Sequence, residues 1–278
     1  METVKITKMQ GCGNDFVLLD FEEYKKFNKD MAEVAKLLCD RHFGVGADGM
    51  IIPDTNPNGQ TDIAWHFYNS DGSSAQMCGN GMRCFAKYVY DKGLVKSEKF
   101  SVMTLAGIIK PEILDDGCVK VNMGKPILED DKIPFNGKRK VIIRDKTFDI
   151  TPVSMGNPHC VVFTDEDPLY LAENYGPDME KHPFFPEKTN TEFVRIISPK
   201  EVEMCVYERG CGITLACGTG ACATVVAGVL NNLTEQKVKV NLLGGAVTVD
   251  WQGNRENTNG DIFLIGPAEY SFVAEYML

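Results

Sequence analysis

Cys78-Gly79-Asn80-Gly81-Met82-Arg83-Cys84 and Cys217-Gly218-Thr219-Gly220-Ala221-Cys222-Ala223 are near-copies of one motif. Their leading cysteines lie 139 positions apart, half of a 278-residue chain. Each motif opens a segment that reads as a helix. The spacing predicts one architecture used twice, with a thiol at a helix N-terminus in each half. Two such thiols can face one carbon atom from opposite sides, a geometry suited to inverting a stereocentre.

The repeat extends outward from the cysteines. Asn69 stands nine residues before Cys78, and Glu208 nine before Cys217; Asp71 and Gly210 share a seven-residue spacing. Gly13-Asn14-Asp15-Phe16 is echoed by Gly156-Asn157-Pro158-His159 at an offset of 143. Matched pairs in the same order argue for duplication over chance. Between them, short runs rich in Val, Ile, Phe and Thr read as strands, among them 16–20, 62–68, 160–164, 192–197, 203–207, 237–241 and 246–251. Residues 1–8 alternate in the same way. Four segments read as helices: 29–41, 82–92, 167–174 (ending before Gly176-Pro177) and 221–232. The last is apolar nearly all round, which suits the middle of a domain. Many short strands around few helices define an α+β class.

Composition narrows the function. With 44% hydrophobic residues the chain can bury a sizeable core, and its net charge of −10 disfavours nucleic acid or anionic membrane as a partner. No stretch approaches the roughly 20 apolar residues of a membrane span. The N-terminal run lacks an apolar signal core, so a cytoplasmic location is expected. Ten cysteines without an export signal read as reduced thiols. The absence of Cys-x-x-Cys and of paired histidines argues against a metal site.

A thiol just before a helix feels the helix's positive end and its unsatisfied N–H groups, which favour the thiolate. Neighbouring glycines let a ligand approach those donors. Each Cys-Gly-x-Gly unit therefore offers a base and an anion cradle. Such a pair can remove an α-proton without a cofactor if backbone donors take up the charge that spreads onto a carboxylate. The other cysteines read as small buried hydrophobes, with Cys12 and Cys211 in glycine-rich turns leaning the same way. Asn14, Asn69, Asn157 and Asn190 sit in turn-like contexts, where asparagine is ordinarily a backbone device. Arg209 beside Glu208 can clamp a carboxylate while the glutamate accepts from an ammonium, as an amino-acid ligand requires. His159 can orient or buffer a thiol.

Together with Asn69-Ser70-Asp71-Gly72-Ser73 and Thr189-Asn190-Thr191-Glu192-Phe193, these motifs resemble those of diaminopimelate epimerase, in that family's order and across nearly the whole chain. The resemblance implies a cofactor-independent isomerase that interconverts LL- and meso-2,6-diaminopimelate in lysine and peptidoglycan synthesis, typically as a homodimer. It implies two pseudo-symmetric domains, 1–122 with 266–278 and 123–265, each wrapping strands around a central helix, with the active site in the cleft between them. Cys78 and Cys217 correspond to the acid/base pair, and His159 and Glu208 would lie close to the thiols. Asn14, Asn69, Asn157, Asn190, Glu208 and Arg209 would bind the diamino diacid; Gly79, Asn80, Gly218 and Thr219 would hold its carboxylate. Two positions depart from the family pattern: Gly49 stands where many members carry Gln, and Ile213 where many carry Glu. Rival readings are another two-base racemase on the same architecture, such as a proline racemase-like enzyme, and a thiol redox or metal-binding protein.

Overall fold

Runs of alternating apolar residues separated by Gly, Asn and Asp form two large sheets and a two-stranded ribbon, Lys140–Ile143 with Lys146–Asp149, in the computed structural model, which describes residues 2–55 and 59–278. The chain divides into two units, one ending at Val121 and rejoined by Gly266–Leu278, the other Asn122–Ile265.

In the first unit the strands are ordered Glu269–Met277, Thr3–Gly11, Asn14–Leu18, Gly49–Asp54, Ile63–Asn69, Val102–Thr104 and Gly107–Ile109. Thr3–Gly11 realises the N-terminal alternation; Met1 of that run lies outside the described residues. Period-two alternation splits the side chains between two faces. Val17, Leu19, Met50 and Ile52 join Val34, Ala35 and Leu38 of a helix, Met31–Cys39, in one apolar cluster. Phe16 and Ile51 point the other way, toward Gly81 of the helix Gly79–Asp91.

The second unit orders its strands Thr151–Ser154, Pro158–Phe163, Asn190–Ser198, Glu201–Glu208, Lys237–Leu242, Gly245–Trp251 and Ile262–Gly266. One face packs against the helix Pro168–Glu180 through Cys160, Val162, Leu171, Tyr175, Phe193 and Cys205. The apolar helix Gly218–Leu230 lies against five of these strands and buries Ala221, Ala223, Val225, Val226 and Ala227. Each fully buried valine contributes about 1.5–3 kcal/mol.

The two sheets repeat one plan. From Thr3–Gly11 to Gly107–Ile109 the pairings run antiparallel, parallel, antiparallel, parallel, antiparallel. From Thr151–Ser154 to Gly245–Trp251 they run in the same sequence. Each parallel pair is bridged by a helical crossover, as parallel neighbours require. The registers match too. Phe16 pairs with Gly49 and Gly49 with Asn69 in the first unit, as His159 pairs with Asn190 in the second. Asn190 then lies one step beyond the Thr191–Tyr207 pair, level with Glu208.

Two helix readings are corrected. Helices expected from 82 and 221 begin at Gly79 and Gly218, because Cys78 and Cys217 are themselves the caps. The helix expected to stop before Gly176-Pro177 continues to Glu180. Gly176 is a packing residue: a Cβ there would sit 2.6 Å from the Tyr207 ring. Buried Tyr175 and Met179 anchor both sides of Pro177, offsetting the hydrogen bond that proline removes. Among the described residues no helix is long and apolar enough to cross a membrane.

Candidate active site

Each half-site is built on the first turn of one helix. Cys78 caps Gly79–Asp91 from an extended backbone (φ −143°, ψ 119°), and its sulfur accepts the Gly81 N–H at 3.4 Å. Asn14, the first residue of its strand, places its carbonyl oxygen 3.7 Å from Cys78 Sγ. That oxygen also accepts from the Asn80 amide at 3.1 Å, while Asn14 Nδ2 donates to Asp48 at 2.6 Å. Asp48 is held in turn by Arg41 at 2.7 Å. Asn80 is buried and accepts from the fully buried Arg83 at 2.9 Å. Asn69 ends its strand and donates to Ser73 Oγ at 2.9 Å.

Gly49 lies beside Asn69, where a Cβ would meet both the Phe67 ring and the Tyr68 carbonyl at 2.7 Å. No longer side chain enters this position without a shift of the Phe67 ring and the Tyr68 backbone.

In the second unit Cys217 caps Gly218–Leu230 in the same way (φ −124°, ψ 108°). Its sulfur accepts the Gly220 N–H at 3.4 Å and lies 3.5 Å from the Thr219 hydroxyl. Burial pushes this thiol well above its ordinary range, and the Glu208 and Glu192 carboxylates add to the effect. The Thr219 hydroxyl and Gly220 N–H act in the opposite sense. Glu208 ends its strand as Asn69 does. Burial raises its carboxyl, and hydrogen bonds from Thr214 and Cys217 pull it partly back.

Beneath the Cys217 helix, His159 and Glu192 are completely buried and joined at 2.7 Å from Nδ1 to Oε1. His159 Nε2 lies 3.0 Å from Asn157 Oδ1, and Asn157 Nδ2 donates to Thr219 at 3.4 Å. Both imidazole nitrogens therefore serve Glu192 and Asn157; the ring acts on the half-site by orienting an amide. A Cβ at Gly220 would sit 2.7 Å from Glu192 Oε1, so glycine lets this pair approach the helix end. Asn190 donates to the Pro158 carbonyl and accepts the Arg209 N–H, each at 2.9 Å. It ties down the turn that carries Arg209, whose guanidinium donates to the Glu187 carbonyl at 3.1 Å.

Within the first unit, then, Asn14, Asn80 and Cys78 come together, with Asn69 at the end of a strand in the same sheet. Within the second, Asn157, Glu208, Thr219 and Cys217 do. Sequence reasoning missed Asp48, Arg83, Glu192 and Thr214. Glu192 is a carboxylate inside a run that the fold buries throughout, Asn190 to Val194. Ile213, the second departure, packs against the core, and the adjacent Thr214 meets Glu208, as strand alternation dictates.

The fold is shared with solved structures of low sequence identity. A phenazine biosynthesis protein of the PhzF family from Bacillus anthracis superposes with a TM-score of 0.76 over 100% of both chains, at 16% identity. A hydroxyproline epimerase from Agrobacterium vitis, solved with trans-4-hydroxy-L-proline, gives 0.69 over 99% of this chain and 93% of that one, at 13% identity. These likenesses define the class: α+β, two sheet-rich units and few helices.

Sequence comparison goes further. The family model described as diaminopimelate epimerase matches residues 6–129 and 151–271. The diaminopimelate epimerase of Heliobacterium modesticaldum is 43% identical over 287 residues, covering 99% of this chain and 100% of that protein. That of Desulfitobacterium hafniense is 46% identical over 281 residues, covering 97% and 96%. The chain belongs to the diaminopimelate epimerase family, and is an isomerase of the epimerase class.

Proposed function

We propose that this protein interconverts LL- and meso-2,6-diaminopimelate by a two-cysteine acid/base mechanism that needs no cofactor, within lysine and peptidoglycan synthesis in the cytoplasm. The observation that carries the reading is the matched capping of two helices by Cys78 and Cys217, each sulfur on the third N–H of its helix. One cysteine, as thiolate, takes the α-proton. The electron pair left on carbon spreads onto the carboxylate, which the helix-end N–H groups around Gly79, Asn80, Gly218 and Thr219 stabilise. The other cysteine, as thiol, protonates the opposite face and becomes the thiolate. The roles exchange with substrate handedness, so the titration belongs to the pair.

Asn14, Asn69, Asn157, Glu208 and Arg209 would hold the ligand's amino-acid groups. Asn190 supports Arg209, and His159 supports Asn157. Epimerisation of LL-diaminopimelate in deuterated water tests the reading. Deuterium is expected at one α-carbon without any added cofactor, and Cys78→Ala and Cys217→Ala should each abolish epimerisation. A Cys217→Ala protein working at the wild-type rate would refute the two-thiol mechanism.

We also propose that the protein works as a homodimer. In support, the edge strand Glu269–Met277 exposes Tyr270, Phe272, Val273 (70% exposed) and Met277. An apolar edge of this kind is a ready pairing surface.

A further inference from the structure

We propose that Arg83 and Asp48 are the two ends of a directional amide relay, Arg83 to Asn80 to Asn14 to Asp48, that turns the Asn14 carbonyl oxygen onto Cys78 and keeps that cysteine a hydrogen-bond donor in the ligand-free protein. The relay deepens the reading of Cys78 as an acid/base residue and rests on it.

The direction follows from chemistry at both ends. A guanidinium only donates, so the Asn80 atom 2.9 Å from Arg83 must be oxygen. Asn80 then presents its amide nitrogen to Asn14 Oδ1, at 3.1 Å. An ionised carboxylate only accepts, so the Asn14 atom 2.6 Å from Asp48 must be nitrogen. Neither amide can turn over without placing like against like. Asp48 cannot easily yield, because it also accepts from Arg41 at 2.7 Å and from the Asp15 N–H at 3.1 Å. The buried Arg83 is fixed by the Pro267 carbonyl at 3.1 Å. What reaches the thiol, 3.7 Å away, is therefore an acceptor. A hydrogen bond to the neutral form of an acid disfavours ionisation.

The second unit shows that this orientation is not inherent in the motif. Asn157, the counterpart of Asn14, turns its oxygen to His159 and its nitrogen to Thr219, in the first turn of the Cys217 helix. The asparagines of two similar half-sites thus have different neighbours: Asn80 and Asp48 fix the Asn14 amide, while Asn157 lies between the His159 ring and the Thr219 hydroxyl, each able to donate or accept. Asp48 and Arg83 are positioning residues: they act on Cys78 through Asn14.

The test is the rate at which iodoacetamide alkylates Cys78 in ligand-free protein at a fixed pH near neutrality, read by peptide mass spectrometry. The thiolate is the reactive form. Asp48→Asn combined with Asn80→Ala releases both groups that fix the Asn14 amide, which can then turn its nitrogen to the sulfur, and alkylation should rise about threefold to tenfold. Asp48→Asn alone removes the same charge but leaves the Asn80 amide on the Asn14 oxygen, and should change the rate by less than about twofold. No rise in the double variant, or an equal rise in both variants, overturns the proposal. A neutron structure of the ligand-free wild-type protein needs no variant: deuterons on the Asn14 atom facing Asp48 support the relay, and deuterons on the atom facing Cys78 refute it. Both measurements are made without substrate, so failure of epimerisation and failure of the relay are seen separately.

Discussion

Glu208 shows how one residue couples the site to stability. Its carboxyl is raised above the ordinary value because burial outweighs the hydrogen bonds from Thr214 and Cys217. A raised acid binds its proton more tightly folded than unfolded, so its contribution to stability is full below the unfolded value and is lost as pH rises through the folded one. Glu208→Gln removes the ionisation. The variant should lose epimerisation yet hold its melting temperature as well as or better than wild type above neutral pH, with a flatter dependence, as thermal melts at several pH values will show. The two helix-end glycines should also behave differently. The atoms nearest a Cβ at Gly81 belong to Ile51, Cys78 and Phe16, none closer than 3.4 Å, whereas one at Gly220 meets Glu192 Oε1 at 2.7 Å. Gly81→Ala should leave stability unchanged or raise it by up to about 1 kcal/mol; Gly220→Ala should cost about 1–3 kcal/mol through overpacking. Urea denaturation of the two variants distinguishes the cases. At this scale the cysteines were legible in the sequence because glycine context and helix position repeat around them. Asp48, Arg83 and Glu192 were not, because their roles depend on partners brought together only by the sheet.

At the scale of elements, alternation of apolar residues located most strands to within one or two positions, as at Ile63–Asn69 and Gly245–Trp251. Helix limits were harder. The sequence pattern starts the helices at 82 and 221, after the glycines, yet those glycines form the first helical turn because the cysteine sulfur supplies a cap acceptor. Gly176-Pro177 reads as a stop, yet a large aromatic neighbour and buried flanks override it. The edge strand Glu269–Met277 carries its own expectation. Val273→Lys places a charge on the exposed apolar edge, and the proposed dimer should dissociate to monomers in analytical ultracentrifugation. A dimer unchanged by that substitution would place self-association elsewhere.

For the whole molecule, the repeated order of antiparallel and parallel pairings makes the duplication plain although the two halves share few residues. The sequence revealed it only at cysteine and asparagine positions, where chemistry constrains the residue. Elsewhere apolar residues interchange freely, provided volume and pattern are kept. The halves are alike in plan and unlike in what fills the space beneath the helix: Phe16 and Ile51 in the first unit, His159 and Glu192 in the second. Equivalent backbone positions thus carry a dry floor in one unit and a polar one in the other.

The pairing of Thr3–Gly11 with Glu269–Met277 also sets an order of events for synthesis. Thr3–Gly11 leaves the ribosome before Asn122–Ile265, and its partner on one side, Glu269–Met277, leaves after it. Asn122–Ile265 is translated entirely between them. The second unit has its whole sequence available while the first still shows an open sheet edge. That edge closes only after the whole of Asn122–Ile265 has emerged, so the Cys217 helix can be capped and packed before the sheet that carries Asn14 is complete.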